Sequence, residues 1–486
     1  MAAASLPRRS PESQGLSSQA VLDFLDDIAR KGLELHSFML IRSGCVLAEG
    51  WWKPYAPELN HALFSLSKSF TATAIGMAVD SGLVTVDDRV VDFFPDKLPP
   101  DLDSRWRALT IKHLLTMTSG HSEDPFGKMI TAPDGDWVKA YFACPLQYEP
   151  GTVFVYSTGA TYMLAAIIQR VTGEKLIDYL RPRLFEPLGI ANPTWWECPM
   201  GISVGGTGLS ITTEDIAKFG LLFLNRGRWN GAQLVSEGWV QEASAKQVCN
   251  YKGNPNSDWE QGYGYQMWRC RHGAYRGDGA VGQYCVVMPE QDAVIAITSG
   301  IREMQPVLDS IWEHILPRFG GPLPENPALQ EELKARLDGL SLPMLPGMWN
   351  EQAAARVAEV RYDLEPNAFG LTGLEFFPAS GELRMTAWFG SSSVPLRAGF
   401  GDYIAQEIRG QADVLTRRLL GEGPYLMCAT WDDDSTLTCL ARFVETPFSR
   451  TAVIRFAGDE LNLEISQNCS FGPTEYPPIR GRARRD

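Results

Sequence analysis

No apolar run in this chain approaches the ~20 residues that a membrane-spanning helix needs, and no basic excess is present. Lys and Arg total 44 against 58 Asp and Glu, a net charge of −14. An acidic surface repels phosphate backbones, so neither a nucleic-acid nor a membrane partner is expected. The nine cysteines (Cys45, Cys144, Cys198, Cys249, Cys270, Cys285, Cys428, Cys439, Cys469) are dispersed, odd in number and without a C-x-x-C pair, the pattern of free thiols in a reducing compartment. Met1 to Gly15 has Pro and Arg but no apolar core, so no signal peptide is expected and the chain reads as cytoplasmic. The six histidines (His36, His61, His113, His121, His272, His314) show no metal-ligand spacing, H-E-x-x-H and G-x-S-x-G are missing, and there is no repeat or low-complexity tract. No metal or cofactor is expected.

What is present centres on Phe64-Ser65-Leu66-Ser67-Lys68-Ser69-Phe70. Ser65 and Lys68 form Ser-x-x-Lys at the start of a helix expected to run to about Ser81. Residues three apart share a helix face, with Cβ atoms roughly 5–6 Å apart. A serine hydroxyl becomes nucleophilic when a neighbouring base takes its proton, and a lysine can serve once burial lowers its pKa. Alone, the motif better describes a Ser-rich helix start with a solvated lysine. Against that, Phe70, Ala74, Met77 and Ala78 follow the period of a packed helix, and Lys68 is the one charge between Ala62 and Val79.

Two further segments bear on the same chemistry. Tyr156 follows Glu149-Pro-Gly-Thr-Val-Phe-Val, read as a turn and strand, and precedes a helix start. A phenol at such a corner can share the Ser65 proton with Lys68, or simply be a packed aromatic. Gly277-Asp278-Gly279-Ala280-Val281-Gly282-Gln283 is expected to enter a strand. Its glycines admit close backbone approach, and an N–H there can join that of Ser65 in an oxyanion hole. The spacing matches G-x-G-x-x-G, but no helix follows, which excludes the dinucleotide reading.

The first 320 residues read as a strand hairpin (about Ser37–Ile41 and Cys45–Trp51), a long helical middle, a strand meander (Gly264–Trp268, Gln283–Met288, Ala293–Thr298) and a closing helix. That order predicts an α+β domain with an antiparallel sheet built from both ends of the segment. Six of the 32 prolines fall between Pro317 and Gly347, which places a linker with a short helix at 321–350. Residues 351–486 alternate in short strands and predict a β-rich domain, a small lipocalin-like barrel or curved sheet. Asp432-Asp433-Asp434 reads as a solvated turn, and Arg480, Arg482, Arg484 and Arg485 as a frayed basic end.

Together, Leu63–Phe70, Leu114–Gly120, Pro150–Ser157, Gly208–Asp215 and Gly282-Gln283-Tyr284 resemble the serine β-lactamase-related hydrolases. These include class C β-lactamases, D-aminopeptidases, carboxylesterases and 6-aminohexanoate-dimer hydrolases, often called the CubicO group. The likeness spans about Pro11 to Phe319 and implies a β-lactamase/transpeptidase-like fold. It also implies Ser65 as nucleophile, Lys68 and Tyr156 as general base and acid, and the N–H groups of Ser65 and Ala280 as oxyanion hole. Thr158, Arg276, Asp278, Gly279 and Gln283 become candidates to line the substrate pocket.

The chain departs from the β-lactamases in two places. Thr158 stands where Asn is usual, and Gly277-Asp278-Gly279 stands where Lys-Thr-Gly is usual. The missing Lys would bind a substrate carboxylate; Arg276 is the candidate to replace it. An ester or amide substrate is therefore expected ahead of β-lactams or D-aminopeptidase substrates. A reading from another class is a catalytically silent binding or scaffold protein on the same fold. The C-terminal domain is a candidate for self-association.

Overall fold

The computed structural model describes residues 5–408 and 423–484; Arg485 and Met1–Ala4 lie outside the described residues. Both ends of the expected hydrolase segment meet in one antiparallel six-stranded sheet. Its order is Cys45–Trp51, Leu35–Arg42, Ala293–Ser299, Gln283–Met288, Tyr275–Gly279, Trp268–Arg269. In the central register Phe38 and Tyr284 both lie opposite Ile297. Every residue of Ala293–Ser299 is buried, because helices cover both faces. Alternate side chains point to opposite faces of a strand. Met39, Ile41, Cys285, Val294 and Ala296 thus join the large core with Phe219 and Phe223 of the helix Thr213–Leu224. Phe38 instead stacks on Phe24 of the helix Ser18–Arg30, ring centroids 5.0 Å apart. This double coverage is why the strands read as unbroken apolar runs.

The helical middle surrounds Ser67–Asp80, which is buried from Ser67 to Ala78 with no polar face. That explains the uncharged stretch in the sequence. Thr158–Thr172 packs beside it, burying Tyr162 through Ile168.

The chain divides into two compact units. The first runs to Trp51, then Ala56–Ser299 and Glu303–Leu340; the second takes Trp52–Tyr55, Gly300–Arg302 and the chain from Ser341. Much of the stretch expected as linker, 321–350, is therefore built into the first unit. Asn326 caps the helix Pro327–Asp338 by accepting from the Leu329 N–H at 3.2 Å. Leu333 is buried, and Leu337 and Leu340 lie over Gly50, where a Cβ would come within 2.6 Å of Leu340. Pro and Gly here punctuate a docked helix.

In the second unit, Glu351–Val357 is a helix that precedes the first strand, Arg361–Leu364. Ten strands follow among the described residues, ordered Ser392–Phe400, Glu382–Phe389, Gly373–Ala379, Arg361–Leu364, Ile479–Ala483, Glu460–Gln467, Ser449–Ala457, Thr436–Arg442, Gly423–Trp431, Ile404–Ile408. A short parallel pairing, Gly399 with Cys428 and Phe400 with Ala429, closes nine of them into a barrel. Asp433 takes hydrogen bonds from the N–H and hydroxyl of Ser435, so the triple-Asp segment is an exposed turn ahead of Thr436–Arg442.

Candidate active site

The chain enters the site through His61–Ala62, paired with Leu209–Ile211, and the Leu63 N–H donates to the Leu209 carbonyl at 2.9 Å. His61 is buried in this strand beside His36, ring nitrogens 3.0 Å apart. Phe64 then adopts φ 46°, a left-handed conformation that costs a bulky residue about 1–3 kcal/mol and that surrounding packing must hold. Ser65 lies in a single 3-10 turn, Phe64–Leu66, and the α-helix proper starts at Ser67, two residues later than the spacing suggests.

Lys68 is 1% exposed. Its Nζ reaches Ser65 Oγ at 2.9 Å, Thr158 Oγ1 at 3.2 Å and the Gly206 carbonyl at 2.7 Å. Gly206 is glycine for contact: a Cβ would fall 2.7 Å from Thr158 Cγ2. Burial lowers the Lys68 pKa to about 7, with Asp124 and Asp278 pulling the other way. A neutral amine has two N–H donors and one lone pair. The carbonyl must accept, so the lone pair faces one of the two hydroxyls.

Tyr156 stands two residues before the helix Thr158–Thr172, in irregular chain rather than at the end of a strand. Its ring stacks on Trp268 (5.2 Å, 21°), meets Tyr263 edge-on, and has Lys68 Nζ 4.9 Å from its centroid. Trp268 is therefore part of the site wall. Burial, with Asp278 nearby, pushes the Tyr156 phenol far above its ordinary value, while its hydrogen bond with Ser65 acts in the opposite sense. Lysine and phenol are thus driven apart, one toward the free base and the other toward the intact acid.

Sequence reasoning missed Asp124, which lies between the helices Ile111–Leu115 and Phe126–Ile130. Its carboxylate accepts from the Thr158 N–H at 2.8 Å, the Gly159 N–H at 3.0 Å and the Ser157 hydroxyl at 3.0 Å. It caps the helix that carries Tyr156-Ser157-Thr158 into place. A cap supplied from so far along the chain leaves no local spacing to read. Asp124→Ala should lower stability by about 1–2 kcal/mol and kcat/KM by about tenfold or more through displacement of Tyr156 and Thr158. Asp124→Asn, which keeps an acceptor, should recover part of both. Urea unfolding alongside steady-state kinetics checks this, and an unchanged kcat/KM in the alanine variant would deny the positioning role.

Gly277 to Gly279 lie within the strand Tyr275–Gly279, and the turn Ala280–Gly282 leads to the next. Gly277 faces the helix Ser67–Asp80, where a Cβ would meet Ser69 Oγ at 2.5 Å. A Cβ on Gly279 would strike the Leu63 carbonyl at 1.9 Å. This contact brings the strand end, and Ala280 after it, against the segment that leads into Ser65. Arg276 and Asp278 point to the opposite side of the strand and pair with each other. Arg276 Nε and Nη2 lie 2.9 and 2.8 Å from Asp278 Oδ2. Arg276 is 0% exposed, also donates to the Asp258 carbonyl at 2.7 Å, and lies over the Trp259 ring. Its guanidinium is committed to internal partners, not held out for a substrate carboxylate. Burial pushes the Asp278 carboxyl up, and Arg276 pulls it back. Gln283, another pocket candidate, is fully buried and bonds the Ser299 backbone at both ends of its amide, which fixes the turn without lining a pocket.

Among the described residues one group of candidate metal ligands converges, Asp27, Glu313 and His314, remote in sequence from these elements. Asp27 is already paired with Lys31 at 2.5 Å and accepts from Ser310 at 2.6 Å.

A buried Ser-x-x-Lys pair, a phenol on the same hydroxyl and a helix-flanked antiparallel sheet define a serine hydrolase of the β-lactamase type. Residues 24–316 match the Beta-lactamase family, and the chain belongs to it. It is 28% identical over 277 residues to the 6-aminohexanoate-dimer hydrolase of Paenarthrobacter ureafaciens, covering 53% of this chain and 71% of that protein. It is 29% identical over 164 residues to the lovastatin esterase of Penicillium rubens, covering 29% of this chain and 41% of that protein. Among solved structures, the octameric penicillin-binding protein homologue from Pyrococcus abyssi superposes with a TM-score of 0.50 at 17% identity, over 96% of this chain and 99% of that one.

Proposed function

We propose that the chain hydrolyses a small ester or amide through an acyl-Ser65 intermediate. The observation that carries this is the Lys68 amine, buried, lowered to about 7 and 2.9 Å from Ser65 Oγ. Neutral Lys68 takes the Ser65 proton as Oγ attacks the carbonyl carbon. The N–H groups of Ser65 and Ala280 hold the resulting oxyanion. As the tetrahedral adduct collapses, Tyr156 gives its proton to the departing oxygen or nitrogen and recovers one from the Lys68 ammonium. Water then attacks the acyl-enzyme by the same path in reverse, releasing the acid and restoring Ser65.

Substrate class follows from the strand beside the site. Gly277 stands where the β-lactamases carry the lysine that greets a carboxylate, and Arg276 is spent on Asp278, so substrates with no carboxylate next to the scissile bond are favoured over β-lactams. One relative named as a 6-aminohexanoate-dimer hydrolase and another as a lovastatin esterase support a small ester or amide substrate. Hydrolysis of p-nitrophenyl butyrate, D-amino-acid amides and a chromogenic cephalosporin, with intact-mass detection of a fluorophosphonate adduct, tests it. An adduct on Ser65 and turnover of the first or second substrate are expected; no adduct and no turnover would leave a silent binding protein.

The base assignment makes a pH prediction. Only neutral Lys68 can accept the proton, so kcat/KM should rise with pH through an apparent pKa of about 7. Between about 7 and the ordinary value of 10.5, the unfolded chain holds a proton on this lysine that the folded protein lacks. The contribution of Lys68 to stability therefore rises with pH across that window and is least favourable below it. A flat kcat/KM from pH 5.5 to 8.5 would rule out Lys68 as the base.

A further inference from the structure

The turn that carries Ala280 is braced more heavily than a hairpin requires. The Gly282 N–H donates to the Gly279 carbonyl at 3.2 Å, which closes a β-turn with Ala280 and Val281 at its centre. Val281, the third residue, has φ 57°. A type II turn needs a positive φ at that position and ordinarily has glycine or asparagine there. For a β-branched residue the conformation is an outlier, and it persists only where the surroundings over-determine it.

Two side chains, both 0% exposed, do this. Gln283 Nε2 donates to the Ser299 carbonyl at 2.9 Å and to the Ala280 carbonyl at 3.3 Å, and its Oε1 accepts from the Ser299 N–H at 3.3 Å. Ser299 Oγ lies 2.6 Å from the Gly282 carbonyl and 3.1 Å from that of Val281, and its one proton is shared between them. All three carbonyls of the turn are thus tied, directly or through Gln283, to the end of the strand Ala293–Ser299. A peptide unit is planar, so holding its carbonyl also holds its N–H. The Gly279–Ala280 peptide is trans, and its carbonyl and N–H point in opposite directions. With that carbonyl drawn across the turn to Gly282, the Ala280 N–H faces outward. It has no hydrogen-bond partner among the described residues.

We infer that Gln283 and Ser299 are positioning residues of the oxyanion hole. They hold the strained turn in the geometry that presents the Ala280 N–H to the substrate oxygen. The inference rests on the acyl-Ser65 reading above and adds to it the parts that aim the second donor. A donor aimed before the substrate arrives needs no reorganisation during the reaction, which is where such a group gains its effect.

The test compares p-nitrophenyl butyrate with its thionoester, in which sulfur replaces the carbonyl oxygen. Sulfur is larger and a poor hydrogen-bond acceptor, so the thionoester draws little from an oxyanion donor. Wild type should strongly prefer the oxygen ester. Ser299→Ala and Gln283→Met should each lower ester turnover by about ten- to a hundredfold, mainly in kcat, and thionoester turnover by less than about threefold. The loss from Ser299→Ala should shrink in a Val281→Gly background, because glycine takes a positive φ without restraint. If Gln283→Met fails to fold, Ser299→Ala, which deletes a single oxygen, carries the test. Equal losses on both substrates would reduce the two residues to a structural role and overturn the inference, as would an ester rate unchanged in both variants. A wild type with no Ser65-dependent turnover would instead remove the hydrolase reading itself, and one that turns over ester and thionoester alike would remove the Ala280 donor.

Discussion

Ser65→Ala is expected to reduce ester hydrolysis by about a thousandfold or more and to abolish the fluorophosphonate adduct, with no loss of fold by circular dichroism. The hydroxyl is one of three partners of Lys68, and the other two, Thr158 Oγ1 and the Gly206 carbonyl, remain. The thermal midpoint should therefore stay level or rise, as is usual when a functional group is removed from a strained site. Lys68→Met should produce a loss of similar size. Because the two act as a unit, the double variant should be little worse than either alone. Steady-state kinetics on the three variants would show this. Multiplicative losses would mean that hydroxyl and amine act in separate steps, and near-wild-type turnover by Ser65→Ala would remove the nucleophile assignment altogether.

The largest stability effect is expected one strand away. Arg276→Met leaves Asp278, 6% exposed, without its counter-charge. Breaking a buried pair from one side costs about 3–5 kcal/mol. Replacing both partners, Arg276→Met with Asp278→Leu, removes the stranded charge and should recover most of that loss. Urea denaturation of the single and double variants measures the difference. A single variant within about 1 kcal/mol of wild type would show that the pair is not the electrostatic closure inferred from its burial.

How much of this was legible depends on the distance between partners. Ser65 and Lys68 are three apart, and one helical turn brings them together, so the sequence shows them directly. Arg276 and Asp278 are two apart on a strand and therefore on one face. Their pairing was available to a reading that placed Gly277–Gly279 inside a strand, not ahead of one. Asp124 was not legible, because its partners at Ser157, Thr158 and Gly159 are brought to it by the tertiary fold alone. In the barrel, Glu382–Phe389 and Glu460–Gln467 alternate cleanly and were recognisable. Gly373–Ala379 and Ser392–Phe400 contain Pro378 and Pro395, which argue against a strand. The topology tolerates both. Arg361–Leu364 pairs with Gly373–Ala379 only at residues 373–375, and Ser392–Phe400 meets its second neighbour only at Gly399 and Phe400. Each proline thus turns its missing N–H to a side with no strand beside it.

The central sheet also sets a timetable for synthesis. Leu35–Arg42 finds its inner partner in Ala293–Ser299, with some 250 residues between them. At roughly 5–20 residues per second, the ribosome needs about ten to fifty seconds to deliver that partner. Throughout that interval the N-terminal hairpin presents an unpaired edge of Phe38, Met39, Leu40 and Ile41, the kind of surface that invites pairing with other chains. Fragments that stop short of Ala293 keep that edge open indefinitely, and protecting it until the partner strand arrives falls to the helices made in between or to a chaperone.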